Sequence, residues 1–268
     1  MVVARMYTLK LKDIIVFSVI LMGIIGCARN RNRIKSQETQ EVLPPDTVMT
    51  AVEVDSSQEG LTIYYPHVGG ISLVTKEMPD TSSINVIFCC AAAFTGELSN
   101  EFRHSNIAGD HVSDGMGKRY RGYRCLRNTG AFVYYNEKWK FLYEDYSAEL
   151  DSAAKYNGMG FGQEMMIHQG RIVPHTRKDS DEDLFRALCE INGRIGIADA
   201  KECGTFGDFI NSLLRAGVSE ALYLDMGAGW NHSWYKPQID DNLMGKAIVI
   251  QPKEHSYCTN WLTFYYMN

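Results

Sequence analysis

The sequence predicts an α+β fold: a mixed, mainly antiparallel sheet with few helices, in a single compact domain. Two observations lead to it. Apolar runs of strand length recur between turn signals along most of the chain, and only two segments carry helical spacing. Runs of strands with segregated helices point to α+β rather than to alternating parallel units.

The elements follow in order. Leu61–Tyr65 and Ile71–Thr75 read as strands around a Gly69-Gly70 turn. Ile84–Cys90 is apolar without alternation, the pattern of a strand buried on both faces, and it runs into Ala91-Ala92-Ala93-Phe94-Thr95-Gly96-Glu97. Small residues after a strand let a ligand or another backbone come close. Residues 98–125 read as a long polar loop holding His104, Asn106, Asp110, His111 and Asp114, and such loops inside compact domains carry function or motion. Thr129–Tyr135 and Trp139–Tyr143 form a hairpin around Asn136-Glu137-Lys138. Ser147 to Tyr156 is helical, with Ser147 as the expected N-cap.

Phe161–His168 and Arg171–Val173 read as a hairpin at Gln169-Gly170. Leu184–Ile191 and Arg194–Asp199 flank Asn192-Gly193, whose two residues both tolerate positive φ. Thr205 caps the second helix with Asp208 at the third position. Phe206, Phe209, Ile210, Leu213 and Leu214 form its apolar face, and Gly217 ends it. Ala221–Asp225 is the next strand, breaking into Met226-Gly227. Lys246–Gln251 and Cys258–Tyr265 complete the set.

The N-terminus reads as a targeting segment. Arg5, Lys10 and Lys12 precede an apolar run from Ile14 to Ile25, short for a membrane span and suited to a secretory leader. The run ends in Gly26-Cys27, which resembles the bacterial lipoprotein box. That resemblance implies a signal peptide over 1–26, lipidation at Cys27 and a membrane partner through the lipid anchor, in a bacterial cell envelope. Residues 27–58 are polar, with Pro44-Pro45, and read as a disordered tether. The folded domain is then 59–268.

Composition narrows the partners. A net charge of -5 and a pI near 5.8 argue against nucleic acid, which selects a basic face. The cysteines beyond Cys27 form no CxxC pair, so a thiol-ligated zinc site is not expected. No Gly-x-Ser-x-Gly, P-loop or His-Glu-x-x-His signal is present, and the residues name no cofactor.

Three segments together resemble the phosphodiester glycosidase family. They are Ala91–Gly96 after a strand, Arg194-Ile195-Gly196-Ile197, and Leu224-Asp225-Met226-Gly227-Ala228-Gly229-Trp230 after a helix and strand. Gln163–Gly170 sits where that family has a Gln-containing strand. The chain departs from the family pattern where Met226 and Ala228 replace glycines, Trp230 replaces a serine, and the first segment lacks an asparagine.

The resemblance implies a hydrolase that cleaves a glycosidic bond in a sugar-phosphodiester or related glycan. The alternative is a non-catalytic glycan-binding protein on the same fold. Glycoside hydrolysis uses two carboxyl groups, and Asp225, Glu164 and Glu97 are the candidates. Glu97 or Glu164 taken alone reads more readily as solvated surface. His111, between Asp110 and Asp114, suits proton transfer or a divalent cation; it reads also as a structural loop histidine.

Arg194 suits an anionic phosphodiester oxygen through its planar donor fork, or else an ion pair with Asp225 or Glu190. Gln163 and Gly227 line the same proposed cleft. Trp230 and Trp234 are placed to stack on a sugar ring, or to bury a loop. The partner expected at the site is a carbohydrate or sugar phosphate.

Overall fold

The computed structural model describes residues 47–75, 77–94, 107–113, 117–122, 129–178, 180–227, 231–252, 258 and 260–266. Cys27, Glu97, Asp114 and Trp230, with the leader and most of the tether, lie outside them.

Nineteen strands are described, in four sheets. The largest runs in the order β12 (Arg171–Ile172), β11 (Met165–His168), β15 (Val218–Leu224), β13 (Arg186–Ile191), β14 (Arg194–Ala200), β3 (Leu61–Pro66), β2 (Val52–Asp55). A five-stranded sheet has the order β7 (Arg119–Tyr120), β6 (His111–Val112), β10 (Met159–Gln163), β8 (Gly130–Tyr135), β9 (Lys138–Tyr143). A second five-stranded sheet has β18 (Ile248–Gln251), β16 (Ser233–Tyr235), β5 (Val86–Ala91), β19 (Asn260–Tyr266), β4 (Val68–Thr75). A small pair joins β1 (Met49–Thr50) to β17 (Gln238–Ile239). Two helices, α1 (Ser147–Lys155) and α2 (Phe206–Arg215), complete the described elements.

Every strand pairing among the described residues is antiparallel. The molecule is therefore a strand-rich antiparallel structure with two helices, and the parallel component of the expected mixed sheet is not seen there.

Three tight turns form as their residues dictate. Asn136-Glu137, Gln169-Gly170 and Asn192-Gly193 all have positive φ at both positions, the geometry that matches strand twist. The Thr205 hydroxyl accepts the Asp208 amide at 3.1 Å, capping α2 as its sequence requires.

Four expectations shift. Gly69 and Gly70 do not turn; they lie inside β4, and the chain passes at His67 from one sheet into another. Ser147 begins α1 but does not cap it: Tyr146 holds the cap position without a side-chain bond, and the Ser147 hydroxyl accepts from Arg119. The folded region starts earlier than residue 59, because Val52–Asp55 pairs along β3 despite its polar neighbours. Phe161–His168 is broken at Glu164, where the chain leaves one sheet and enters another.

The seven-stranded sheet is buried on both faces. Leu222 and Leu224 of β15 join a core with Phe88, Phe132, Phe161 and Phe264 from the five-stranded sheets. Ala221 and Tyr223 point the other way, into a second core under Phe206, Phe209, Ile210 and Leu213 of α2. This period-two alternation decides which face the residue following β15 inherits.

Candidate functional site

The chain emerges from β15 at Asp225. Its peptide N–H donates to the Ala92 carbonyl at 2.9 Å, so the end of β15 is tied to the small-residue stretch after β5. Two of the three segments that carry the sequence resemblance thus meet. Asn260, fully buried, fixes the other side of that stretch: its side chain accepts from the Ala93 amide at 2.7 Å and donates to the Ala93 carbonyl at 3.0 Å.

Asp225 is 7% exposed. One carboxylate oxygen accepts the Gly227 amide at 3.2 Å, the local bond that a glycine two residues on permits. Burial pushes its pKa up to about 6, against the lowering pull of the Gly227 amide and of Arg177. A carboxyl group poised there holds or releases a proton near neutral pH.

Glu164 joins Asp225 through the backbone of β15: the Tyr223 amide donates to the Glu164 carbonyl at 2.9 Å. The Glu164 carboxylate is 3% exposed and receives Arg177 Nε at 2.9 Å. It is a buried, paired carboxylate, and the solvated-surface reading of it does not hold. Gln163 is fully buried too. Its amide oxygen accepts the Glu164 N–H at 2.9 Å, while its Nε2 has no hydrogen-bond partner among the described residues. A buried amide with an unused donor is costly unless something else takes it.

Arg177 is the residue the sequence reading missed. It sits in the irregular segment between β12 and β13, where no periodicity marks it. Its guanidinium lies 4.3 Å from the Tyr223 ring centre and 4.5 Å from that of Phe206. This aromatic bed desolvates the cation, and Glu164 holds its charge. Tyr223 accepts the Met226 amide through its hydroxyl at 3.2 Å. Burial, with the nearby Asp225 charge, pushes the Tyr223 pKa up to about 12. Alternation along β15 puts Tyr223 and Asp225 on one side, so this much of the grouping was legible from the strand period.

Other expected members lie elsewhere. Arg194 stands at the turn end of the β13–β14 hairpin, half exposed, with its guanidinium on Glu53 at 2.8 Å and over the Tyr65 ring at 4.5 Å. Its register partner Ile191 pairs with Val218, six residues along β15 from Leu224, roughly 20 Å at ~3.3 Å per residue. Neither Asp225 nor Glu190 is its ion-pair partner.

The arginine at the correct end is Arg186, paired with Leu224 across the strands. Arg186 is fully buried and committed to Asp199, at 2.6 and 2.8 Å, and to the Ser233 hydroxyl at 2.8 Å.

Trp234 is no exposed platform. It is 3% exposed in β16, donates to the Pro79 carbonyl at 3.2 Å, and packs with Cys258 and Trp261. His111 is buried in β6, its ring stacked on Tyr120 at 5.1 Å and its Nδ1 3.0 Å from the Gly109 carbonyl. The Asp110 carboxylate is engaged by the Arg119 guanidinium. His111 stands across from Phe161, two residues before Gln163 on β10. Among the described residues no group of three or more His, Cys, Asp or Glu is arranged to hold a metal ion.

The chain matches no protein-family model and no curated protein. Among solved structures, it is similar to the zebrafish N-acetylglucosamine-1-phosphodiester alpha-N-acetylglucosaminidase catalytic domain, auto-inhibited by its pro-peptide. The TM-score is 0.50 at 12% identity, over 85% of each chain. The fold is similar to that of a glycosidase catalytic domain. A hypothetical protein from Synechocystis is similar at TM-score 0.50 and 12% identity, over 84% of this chain and 64% of that one. At such identity the likeness is one of fold, and chemistry has to be argued from the residues of this chain.

Proposed function

We propose that this chain hydrolyses a glycosidic bond in an anionic glycan, a sugar phosphodiester or a related linkage. One observation carries the reading: Asp225, a buried carboxyl with its pKa raised to about 6, ends a strand beside a second buried carboxylate, Glu164, and its arginine. Glycoside hydrolysis asks for two carboxyl groups in different environments, one able to carry a proton and one kept charged.

Here Arg177 pairs with the Glu164 carboxylate at 2.9 Å, while burial lets Asp225 carry a proton near neutral pH. Asp225 donates that proton to the leaving oxygen as the glycosidic C–O bond breaks, and water adds to the anomeric carbon, giving up its proton to the second carboxylate, Glu164. Arg177, desolvated by Tyr223 and Phe206, supports negative charge on a phosphate-like leaving group. The unused Nε2 of Gln163 donates to a sugar hydroxyl. The similarity to a glycosidase catalytic domain supports the glycan class of the substrate.

The test is hydrolysis of a panel of sugar-1-phosphodiesters by the wild type, Asp225→Asn and Arg177→Met. The wild type is expected to release sugar. Asp225→Asn should lose turnover by about 10³-fold, within the range general acid–base groups contribute. Arg177→Met should lose most on the substrates with the least acidic leaving groups. Turnover equal in Asp225→Asn and wild type, or absent throughout the panel, defeats the reading.

The proposal extends to location. The run before Cys27 resembles that of an exported lipoprotein, and on that reading the enzyme works from a lipid anchor at the bacterial envelope. Metabolic labelling with a fatty-acid probe should mark the wild type and not Cys27→Ser; equal labelling of both rules this out.

A further inference from the structure

A groove far from Asp225 lies between the β8–β9 hairpin and the turn end of β13–β14. It encloses about 780 Å³. Tyr134 and Trp139 form its floor. They are register partners across the hairpin, so both rings stand on the same face. Trp139 is fixed from behind: its Nε1 donates to Glu190 at 2.8 Å, and the residue is partly buried at the groove.

The opposite wall is a row of exposed polar groups bridged by one carboxylate. Glu53 accepts Arg194 on one oxygen at 2.8 Å and lies 3.0 Å from His67 Nε2 on the other. Glu137 stands on the rim, lifted by the left-handed turn at Asn136-Glu137. The Arg194 guanidinium lies 4.5 Å from the Tyr65 ring centre, and a second cavity of about 310 Å³ continues on that side, lined by Tyr65, Glu53 and Arg194.

We infer that this groove is a second, non-catalytic binding site for a neutral oligosaccharide, separate from the Asp225 centre. A rigid aromatic floor takes the apolar face of a sugar ring, and amphipathic rings with a polar edge suit such a half-wet contact. The wall offers planar donors and acceptors side by side, matched to neighbouring hydroxyls. Its charges are already paired, so a phosphate or another anion would have to compete with Glu53 for Arg194. The carboxylates on the rim also disfavour acidic ligands. A concave site of this volume that mixes a few polar groups with aromatic surface is the usual form of a small-ligand site. Its continuation past Arg194 suits a chain of sugars better than a single one. The inference does not depend on hydrolysis at Asp225.

The test uses the purified full chain and a panel of soluble neutral hexose and N-acetylhexosamine oligosaccharides, followed by calorimetry and tryptophan fluorescence. Saturable binding is expected for at least one member. It should weaken by at least about tenfold in Trp139→Ala, as for loss of an aromatic anchor, and measurably in Arg194→Ala, whose exposed side chain leaves the fold intact. Repeating the titration in the Asp225→Asn background keeps the two sites apart, since turnover follows Asp225 and groove binding follows Trp139 and Arg194. No saturable binding at millimolar sugar overturns the inference. So does binding indifferent to both groove substitutions, or saturation by an unstructured basic peptide and by no sugar.

Discussion

The two ends of the β13–β15 strands make opposite uses of arginine. At one end Arg186 is fully buried against Asp199, beside the strand that delivers Asp225. At the other, Arg194 is half exposed on Glu53. Both pairs have short contacts and both are arginine–carboxylate. What differs is water. The buried pair is held where a lone charge has nowhere to go, while the exposed pair competes at every moment with solvent and salt. Chemistry that depends on a shifted pKa belongs at the first end, and exchangeable ligand contacts belong at the second.

The largest effect that would break this contrast is at Arg186. Arg186→Ala removes a guanidinium that satisfies Asp199 and Ser233 together. It leaves Asp199 uncompensated in the interior, which costs about 3–5 kcal/mol. Chemical denaturation should show the loss directly. A variant as stable as wild type would mean that water already reaches the pair and that the two ends are alike.

The next effect is at Asp225 and has the opposite sign. Its folded pKa is about 6, above the unfolded value of 3.8. The folded state therefore binds more protons than the unfolded state between those values, and stability falls as pH rises from about 4 to about 6. Above that window the ionised, buried carboxylate costs on the order of 2–3 kcal/mol. Asp225→Asn should cut turnover by about 10³-fold under the proposed mechanism and stabilise the protein at pH 7. The gain should shrink as pH falls from about 6 to about 4. Denaturation midpoints across pH 4 to 8 report it, and a variant equally or less stable at pH 7 would show that Asp225 is not strained by burial.

Much of this was readable before any coordinates. The hairpins followed from left-handed turn residues, α2 from its cap and apolar spacing, and Asp225 from an apolar strand breaking into glycine. The choice of arginine was also present in the sequence, though it was missed. In a two-residue hairpin, positions equidistant from the turn face each other. Arg186 and Asp199 are equally spaced about Asn192-Gly193, whereas Arg194 sits directly on the turn and can only face its rim. Local motif likeness pointed to Arg194; the arithmetic of the turn points to Arg186.

Arg177 had no such signal, because its partners Glu164, Phe206 and Tyr223 come from three separate elements and meet only through tertiary packing. Trp234 failed for a related reason. A tryptophan near a functional strand end reads alike whether it faces a ligand or fills a core, and only its neighbours Cys258 and Trp261 decide.

The smallest expected effect sharpens the comparison most. Arg194→Ala deletes the salt bridge to Glu53 and the stacking on Tyr65. With both side chains about half exposed, the pair contributes no more than about 1 kcal/mol. Arg194 chiefly lowers the Glu53 pKa, through its hydrogen bond. That contribution is present above the ordinary carboxylate range and disappears as pH falls through it. The wild-type and Arg194→Ala denaturation curves should therefore lie close together at pH 7 and converge in acid, and added salt should bring them together at pH 7 as well. A change of several kcal/mol would place Arg194 in the same class as Arg186. A small change in stability alongside a clear loss of oligosaccharide binding would show an arginine held at the surface for a ligand, since the fold gains so little from it.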